Sequence, residues 1–250
     1  MKYITNTYLQ KITLTGITCA LVLLAGLSGC SSSSSPAATT PTTPPATVTV
    51  SGKISTEANP LPGGEPGVTV QGFYSETDTT TPDITDADGM FTLTVDTSKA
   101  VSFQLSKATF ATLNFAKETL TANITDADED GYPTVVEVQP VIDQALGVNT
   151  TALQNKAWFV VSVTDGNDVE VNGVSITSNP APDAEVYTAC DGSESPANNA
   201  TVAPCAPDSR GVMYLAYFDA APGDITVTVG GETQTGPVRM GEITVFDFEQ

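Results

Sequence analysis

A turn-and-strand pattern recurs in this chain and restricts it to β structure. Its first copy joins the sequence GVTV at 67–70 to TDADGMFTLTV at 85–95. The aspartates and Gly89 of the second stretch are turn residues, because Asp side chains bond nearby main chain and glycine accepts a positive φ. A strand is therefore expected from Met90, with apolar residues alternating with threonines. Such a strand buries one face and exposes the other, as in a two-sheet sandwich.

A second, weaker copy joins GVSI at 173–176 to PDSRGVMYLAYFD at 207–219. An insertion that contains Cys190 and Cys205 separates its two parts. Two copies about a hundred residues apart indicate tandem domains. The sequence therefore predicts an all-β chain with two tandem β-sandwich domains.

Alternating apolar residues and turn signals place the domain boundaries. The first sandwich is expected over 47–139, where the sequence TVVEV at 134–138 is interpreted as a late strand. Residues 140–156 contain helix formers, with Asn149 or Thr150 as a helix cap, and predict a short helical connector. The second sandwich is expected over 157–250, again from short alternating strands.

The N-terminal segment predicts an exported, lipid-anchored chain. A basic start precedes an apolar stretch at 12–26, which is too short to span a bilayer comfortably and ends in LSGC at 27–30. These four residues resemble the lipobox of bacterial lipoproteins. The resemblance implies a signal peptide over 1–29, lipid on Cys30, and, since Ser31 follows, an outer-membrane address on either the periplasmic or the cell-surface side. An ordinary secretory signal is the alternative.

The stretch that follows Cys30 is expected to be a tether. Residues 31–46 read SSSSSPAATTPTTPPA and carry no large apolar side chain to bury. Proline-rich sequence of this kind is extended and semi-rigid. The first sandwich should therefore stand away from the membrane.

The charge of the chain argues against nucleic acid as a partner. It has 29 acidic and 9 basic residues among 250, a formal charge of −20. Loss of Lys2 and Lys11 with the signal peptide would make it more acidic still. Such a surface repels nucleic acid and anionic lipid head groups.

Two cysteines remain in the mature chain once Cys19 leaves with the signal peptide and Cys30 is lipidated. These are Cys190 and Cys205, separated mainly by small and polar residues. In an oxidising compartment such a pair predicts a disulfide in preference to a metal site.

An acidic run matches the spacing of a calcium loop. Its residues Asp126, Asp128, Asp130, Gly131 and Glu137 fit the pattern D-x-D-x-D-G-x5-E. Calcium binds six to eight hard oxygens, and the glycine permits the sharp turn. The flanks are wrong for an EF-hand, because the preceding TLTANI is strand-like. A calcium loop between strands, with the four acidic residues as ligands, and a solvated acidic turn both remain open.

The order of motifs in the first half resembles carboxypeptidase regulatory-like domains. The matching residues are Val50-x-Gly52-x-Ile54, PGVTV at 66–70 and the stretch 85–95, with a weaker match over 157–250. The resemblance implies a transthyretin-like or Ig-like sandwich on a bacterial surface or secreted protein. It implies a scaffold or binding role, with no catalytic residues.

The residue types present set limits on enzymatic chemistry. The chain has no histidine, which excludes a Ser-His-Asp triad and histidine-ligated zinc. We therefore expect a noncatalytic lipoprotein that acts as a structural or adhesion-type binding module for an unidentified protein or polysaccharide. The alternative is a carbohydrate-binding accessory protein or a carboxylate-based hydrolase. The single tryptophan weakens the sugar-binding alternative.

Overall fold

The computed structural model describes residues 46–56, 63–129, 132–136, 138–139, 152–164, 174–188, 194–196 and 214–250. These ranges are almost entirely β, as predicted. None of their helices is long and apolar enough to cross a membrane. The elements are β1 (Thr47–Lys53), β2 (Thr69–Ser75), β3 (Asp78–Thr79), β4 (Asp83–Ile84), β5 (Met90–Asp96), β6 (Ser102–Ser106), β7 (Thr112–Phe115), α1 (Ala152–Asn155), β8 (Ala157–Thr164), β9 (Ile176–Asn179), β10 (Ala184–Thr188), β11 (Glu194–Pro196), β12 (Tyr214–Phe218), β13 (Gly223–Val229), β14 (Glu232–Val238) and β15 (Glu242–Glu249).

The turn before β5 forms as the sequence predicts. Asp86 Oδ1 accepts the main-chain N–H groups of Asp88 at 2.9 Å and Met90 at 3.0 Å. Gly89 has a φ of +77°, a conformation that costs glycine little. Phe91, Leu93 and Val95 of β5 are buried, and the threonines between them are exposed. The predicted strand and its buried face are confirmed.

A ten-stranded sheet forms the centre of the molecule. Its order is β11-β10-β12-β8-β15-β7-β6-β2-β3, and β4 pairs with β2. Most neighbours are antiparallel, but β15 is parallel to both β7 and β8. Parallel neighbours need long connections, and here the connections run through much of the chain.

The two faces of the central sheet are covered by different smaller sheets. Antiparallel β1 and β5 pack over β2, β6 and β7, and their apolar residues share one core with Ile243 of β15. A three-stranded sheet, β14-β13-β9, packs on the opposite face in a second core with Phe246 and Phe248. Odd and even residues of β15 therefore face different cores, as the period of two requires.

Strand β15 joins the two sandwiches that the sequence predicts. It comes from the predicted second domain, yet Ile243 and Val245 lie beside Leu113 and Phe115 of β7 in the first. On its other side it pairs with β8 over seven residues, from Ile243 to Glu249. The two predicted units thus share one sheet, while the domain boundaries themselves remain a prediction.

The prediction of a strand at 134–138 is wrong. Its described residues form a helical turn, in which the Val138 N–H donates to the Thr134 carbonyl at 3.1 Å. Val135 and Val138 pack on the first core, and Val136 is 79% exposed. A spacing of three puts two valines on one helical face, and this packing overrides the β preference of valine. The described part of the predicted helical connector holds α1, with Leu153 buried.

Candidate ligand-binding cleft

Only some of the site residues predicted from the sequence lie in the part of the chain that the structure describes. Asp126 and Asp128 are described and exposed. The lipidation site Cys30, the pair Cys190 and Cys205, and the calcium ligands Asp130 and Glu137 lie outside the described residues. Lipidation, the disulfide and calcium binding therefore stay predictions.

The acidic run lies along the edge of β1. The Ile124 N–H donates to the Thr49 carbonyl at 2.9 Å, and the Glu129 N–H donates to the Lys53 carbonyl at 2.8 Å. Asp128 Oδ1 accepts the N–H of Lys53 at 2.7 Å. Residues 124–129 thus lie alongside β1 and form two isolated parallel bridges with this part of the chain, and one aspartate has a structural partner. Across the ranges given above, no three acidic or cysteine side chains are grouped so that they could hold a metal ion.

A cleft opens between the β1–β5 sheet and the central sheet. Its volume is about 280 Å³. Most of its lining is hydrocarbon, and its walls come from β1, β2, β5, β6, β7, β14 and β15. The apolar lining residues are Val50, Ile54, Val70, Phe91, Phe103, Leu105, Phe115, Ala116, Ala127 and Val245. This is the kind of concave, apolar surface on which small ligands bind.

Glu118 lines the cleft just beyond the end of β7. Its main chain is fixed by two hydrogen bonds with Val101, of 2.8 and 3.0 Å. Burial raises the pKa of its carboxyl group to about 7, because a low-dielectric environment disfavours the charged form. These two hydrogen bonds fix the point at which the Glu118 side chain leaves the main chain.

Asp247 and Gln234 line the same cleft as Glu118. The Ala116 N–H donates to the Val245 carbonyl at 3.1 Å and the Lys117 N–H donates to the Thr235 carbonyl at 2.6 Å. The segment before Glu118 is therefore hydrogen-bonded first to β15 and then, one residue later, to β14. Glu118, Gln234 and Asp247 all line the cleft where these strands approach one another, and this part is called its acidic end.

The polar side chains at this end carry oxygen atoms that can accept hydrogen bonds. Burial raises the pKa of the Asp247 carboxyl group to about 7. Gln234 Nε2 donates to the main-chain carbonyl of Asp247. Gln234 Oε1 is buried, and no described group donates a hydrogen bond to it. A buried acceptor without a donor is costly, so this end of the cleft is suited to a ligand that brings donors.

One basic residue, Lys117, occurs among the described lining residues. Its ammonium group lies 2.5 Å from the Asp224 carboxylate of β13. The positive charge of Lys117 is therefore paired with the negative charge of Asp224. Asp128 and Glu129 add two further acids to the lining, so acids outnumber bases around the cleft.

Sequence reasoning missed the acidic end of the cleft. One signal was present, because Asp247 follows Ile243 and Val245 at the same face of an apolar strand. An acid at such a position is unusual and marks a site worth attention. Glu118 and Gln234 carry no comparable signal, since their position depends on pairing between distant strands.

Comparisons with known proteins leave the family open. No family model matches the chain, and no curated protein does. The Bacillus anthracis TIE protein is 9% identical, with 82% of this chain and 34% of that one covered and a TM-score of 0.28. A double mutant of the shaft pilin SpaA from Lactobacillus rhamnosus GG is 10% identical, with 81% and 96% covered and a TM-score of 0.23.

A Streptococcal ancillary pilin is also 10% identical, with 82% of this chain and 62% of that chain covered and a TM-score of 0.23. The chain spans about a third of the length of the TIE protein chain. Similarities at these TM-scores support no conclusion about this chain. Its function has to be argued from its own residues.

Proposed function

We propose that this chain is a noncatalytic binding module, tethered by lipid to the bacterial outer membrane, which holds a ligand in the cleft between its sheets. The cleft is the observation that carries the proposal. Closing it over hydrocarbon would add stability, since cores gain by filling voids. The cleft is open, however, and Phe103 and Phe115 line it together with carboxyl groups. This arrangement favours a role in binding.

The N-terminal sequence supports the tethered part of the proposal. The lipobox at 27–30 would place a lipid on Cys30, and the tether over 31–46 would separate the sheets from the membrane. A disulfide between Cys190 and Cys205 would staple the insertion of the second half. A Cys30→Ala variant is expected to leave the membrane fraction or to remain uncleaved, and a mature, lipid-labelled variant would contradict the proposed anchor.

A neutral fluorescent probe tests the cleft. The mature chain with Cys30→Ala, made without lipid, would be titrated with N-phenyl-1-naphthylamine. We expect saturable binding at one site with enhanced emission. The added variant Ala127→Phe should abolish it, because Ala127 is half-buried in the cleft wall and a phenyl group there would fill the space.

The matched control is Ala87→Phe, which places the same side chain on an exposed turn. It should bind the probe as the parent does, and both variants should melt cooperatively. Absence of saturable binding by the parent protein would contradict the proposal. Unchanged binding by a folded Ala127→Phe variant would also do so.

One observation favours a carboxylate-based hydrolase as the second candidate. Glu118 and Asp247 line one cleft and both have pKa values raised to about 7, and glycoside hydrolysis uses such pairs. The hydrocarbon lining argues against it, since a sugar needs many polar partners. Glycosidase activity that disappears in the Glu118→Gln variant would establish the hydrolase instead.

A further inference from the structure

The cleft described above combines a hydrocarbon interior with an end made of acceptors. Glu118, Asp247 and the Oε1 atom of Gln234 can all accept hydrogen bonds. An ammonium group supplies up to three donors and a positive charge, which matches this set. A carboxylate ligand would bring neither a donor nor a positive charge.

The apolar part of the cleft fits the same class of ligand. Aromatic rings from Phe91, Phe103 and Phe115 belong to the lining. Ring faces attract organic cations, and more strongly where water is excluded. The hydrocarbon of the ligand would meanwhile be removed from water against Val70 and Leu105.

Size and the arrangement of acids decide between an organic cation and a metal ion. The cleft has about 280 Å³, which is roughly the liquid volume of nine water molecules. A bare metal ion would leave most of this space empty. Its acids are also not grouped as a metal site, since the described chain holds no cluster of three or more candidate ligands.

We propose that the cleft binds a compact organic ammonium ion, with its hydrocarbon against the phenylalanine rings and its charged group between Glu118, Asp247 and Gln234 Oε1. This inference rests on the proposed binding function of the cleft and names the class of ligand. The negative charge of the whole chain, −20, raises the local concentration of such a cation.

Three related probes test the inference by calorimetric titration of the mature Cys30→Ala protein. They are 2-phenylethylammonium, the uncharged 2-phenylethanol and the anion 3-phenylpropanoate. We expect the ammonium ion to bind at least tenfold more tightly than the alcohol, with no measurable binding of the anion. Equal affinities for ammonium ion and alcohol, or preference for the anion, would overturn the inference.

Variants locate the charged group. The double variant Glu118→Gln, Asp247→Asn should lose the preference for the ammonium ion while it still binds the alcohol and N-phenyl-1-naphthylamine. The control Glu249→Gln changes an exposed acid on the same strand and should keep the full preference. If the folded double variant retains the preference, the acceptors named here do not hold the cation.

The two proposals fail in different ways. Binding of the neutral probe without selectivity for the ammonium ion would leave the binding module intact and reject the ligand class. Loss of all probe binding would reject both proposals.

Discussion

Gly52 lies in β1 where the acidic run approaches the strand most closely. A Cβ atom added there would lie 2.0 Å from the main-chain oxygen of Ala127. Main chain cannot move aside as a flexible side chain can, so the two segments would have to separate. We expect Gly52→Ala to destabilise the protein by roughly 2–3 kcal/mol, the range for overpacked sites.

Chemical denaturation would measure this change. Gly63→Ala is the matched control, because its added Cβ meets nothing within 4 Å. It should alter the free energy of unfolding by about 0.5 kcal/mol or less, as surface substitutions do. Equal effects of the two substitutions would mean that Ala127 does not lie against Gly52.

Glu118 and Asp247 should make stability depend on pH. Their folded pKa values of about 7 exceed the ordinary values near 4. A raised pKa means that the folded state holds the proton more tightly, so the contribution is present below pH of about 4 and is lost as the pH rises through 7. We expect unfolding to require more free energy at pH 5 than at pH 8.

Each carboxyl group should contribute on the order of 2 kcal/mol to this difference, after allowance for partial exposure. The other charged groups that line the cleft are Lys117, Asp128 and Glu129, and the acidic surface adds its own pH dependence. The double variant Glu118→Gln, Asp247→Asn isolates the effect, and its pH profile should be flatter than that of Glu249→Gln. Superimposable profiles would show that the two groups have ordinary pKa values.

At the scale of elements, the acidic run has one function that the structure shows and one that stays a prediction. It completes the edge of β1 through main-chain hydrogen bonds and Asp128. Calcium binding by Asp126, Asp128, Asp130 and Glu137 would add to this, because a cation offsets repulsion between neighbouring carboxylates. A site filled a hundredfold above its dissociation constant would add roughly 2.7 kcal/mol of stability.

The test compares melting with millimolar calcium and with chelator. We expect a rise of several degrees with calcium in the parent protein and none in the double variant Asp126→Ala, Asp130→Ala. Asp128→Ala should destabilise the protein even with chelator, by about 1 kcal/mol, since it leaves the Lys53 N–H without its acceptor. Identical melting of the parent protein in both conditions would mean that the acidic run binds no calcium and is only a solvated turn.

The elements predicted correctly are those whose signals are local. Turn chemistry at Asp86 and Gly89 and the period of two after them were enough to place β5. β14 was missed, since Gly236 and Pro237 break the strand pattern. In the structure Gly236 lies against the ring of Phe246, a packing reason that only the assembled sheets reveal.

The candidate site was less predictable than the fold for a related reason. Glu118, Gln234 and Asp247 come from three parts of the chain and line one cleft because β15 pairs with β7 and β14 approaches them. Sequence periodicity reports which face of a strand is buried, and it carries no information about which distant strand lies alongside. A cleft built at such a junction can be seen only after the topology is known.

At the scale of the whole molecule, β15 should make the two predicted sandwiches unfold together. It contributes Ile243 to the first core and Phe246 and Phe248 to the second. We expect one calorimetric transition whose enthalpy agrees with the van't Hoff value. Phe246→Ala should lower the stability of both halves by about 3–5 kcal/mol, the cost of a large core truncation.

Hydrogen exchange can follow the two halves separately. In the Phe246→Ala variant, amide protection should fall in β1 and β5 as much as in β13, although Phe246 belongs to the second core. Two resolved transitions, with only the second sensitive to Phe246→Ala, would show that the halves are independent domains.

The position of β15 also governs how fast the protein can fold. Residues 112–115 of β7 pair with residues 242–245, so a long stretch of chain must be closed into a loop before this contact forms. Loop closure costs entropy before pairing returns any stability, and folds rich in such contacts are slow. Until β15 docks, the edges of β7 and β8 that will receive it are open to strands of other molecules. The period before β15 docks is therefore when this chain is most exposed to aggregation.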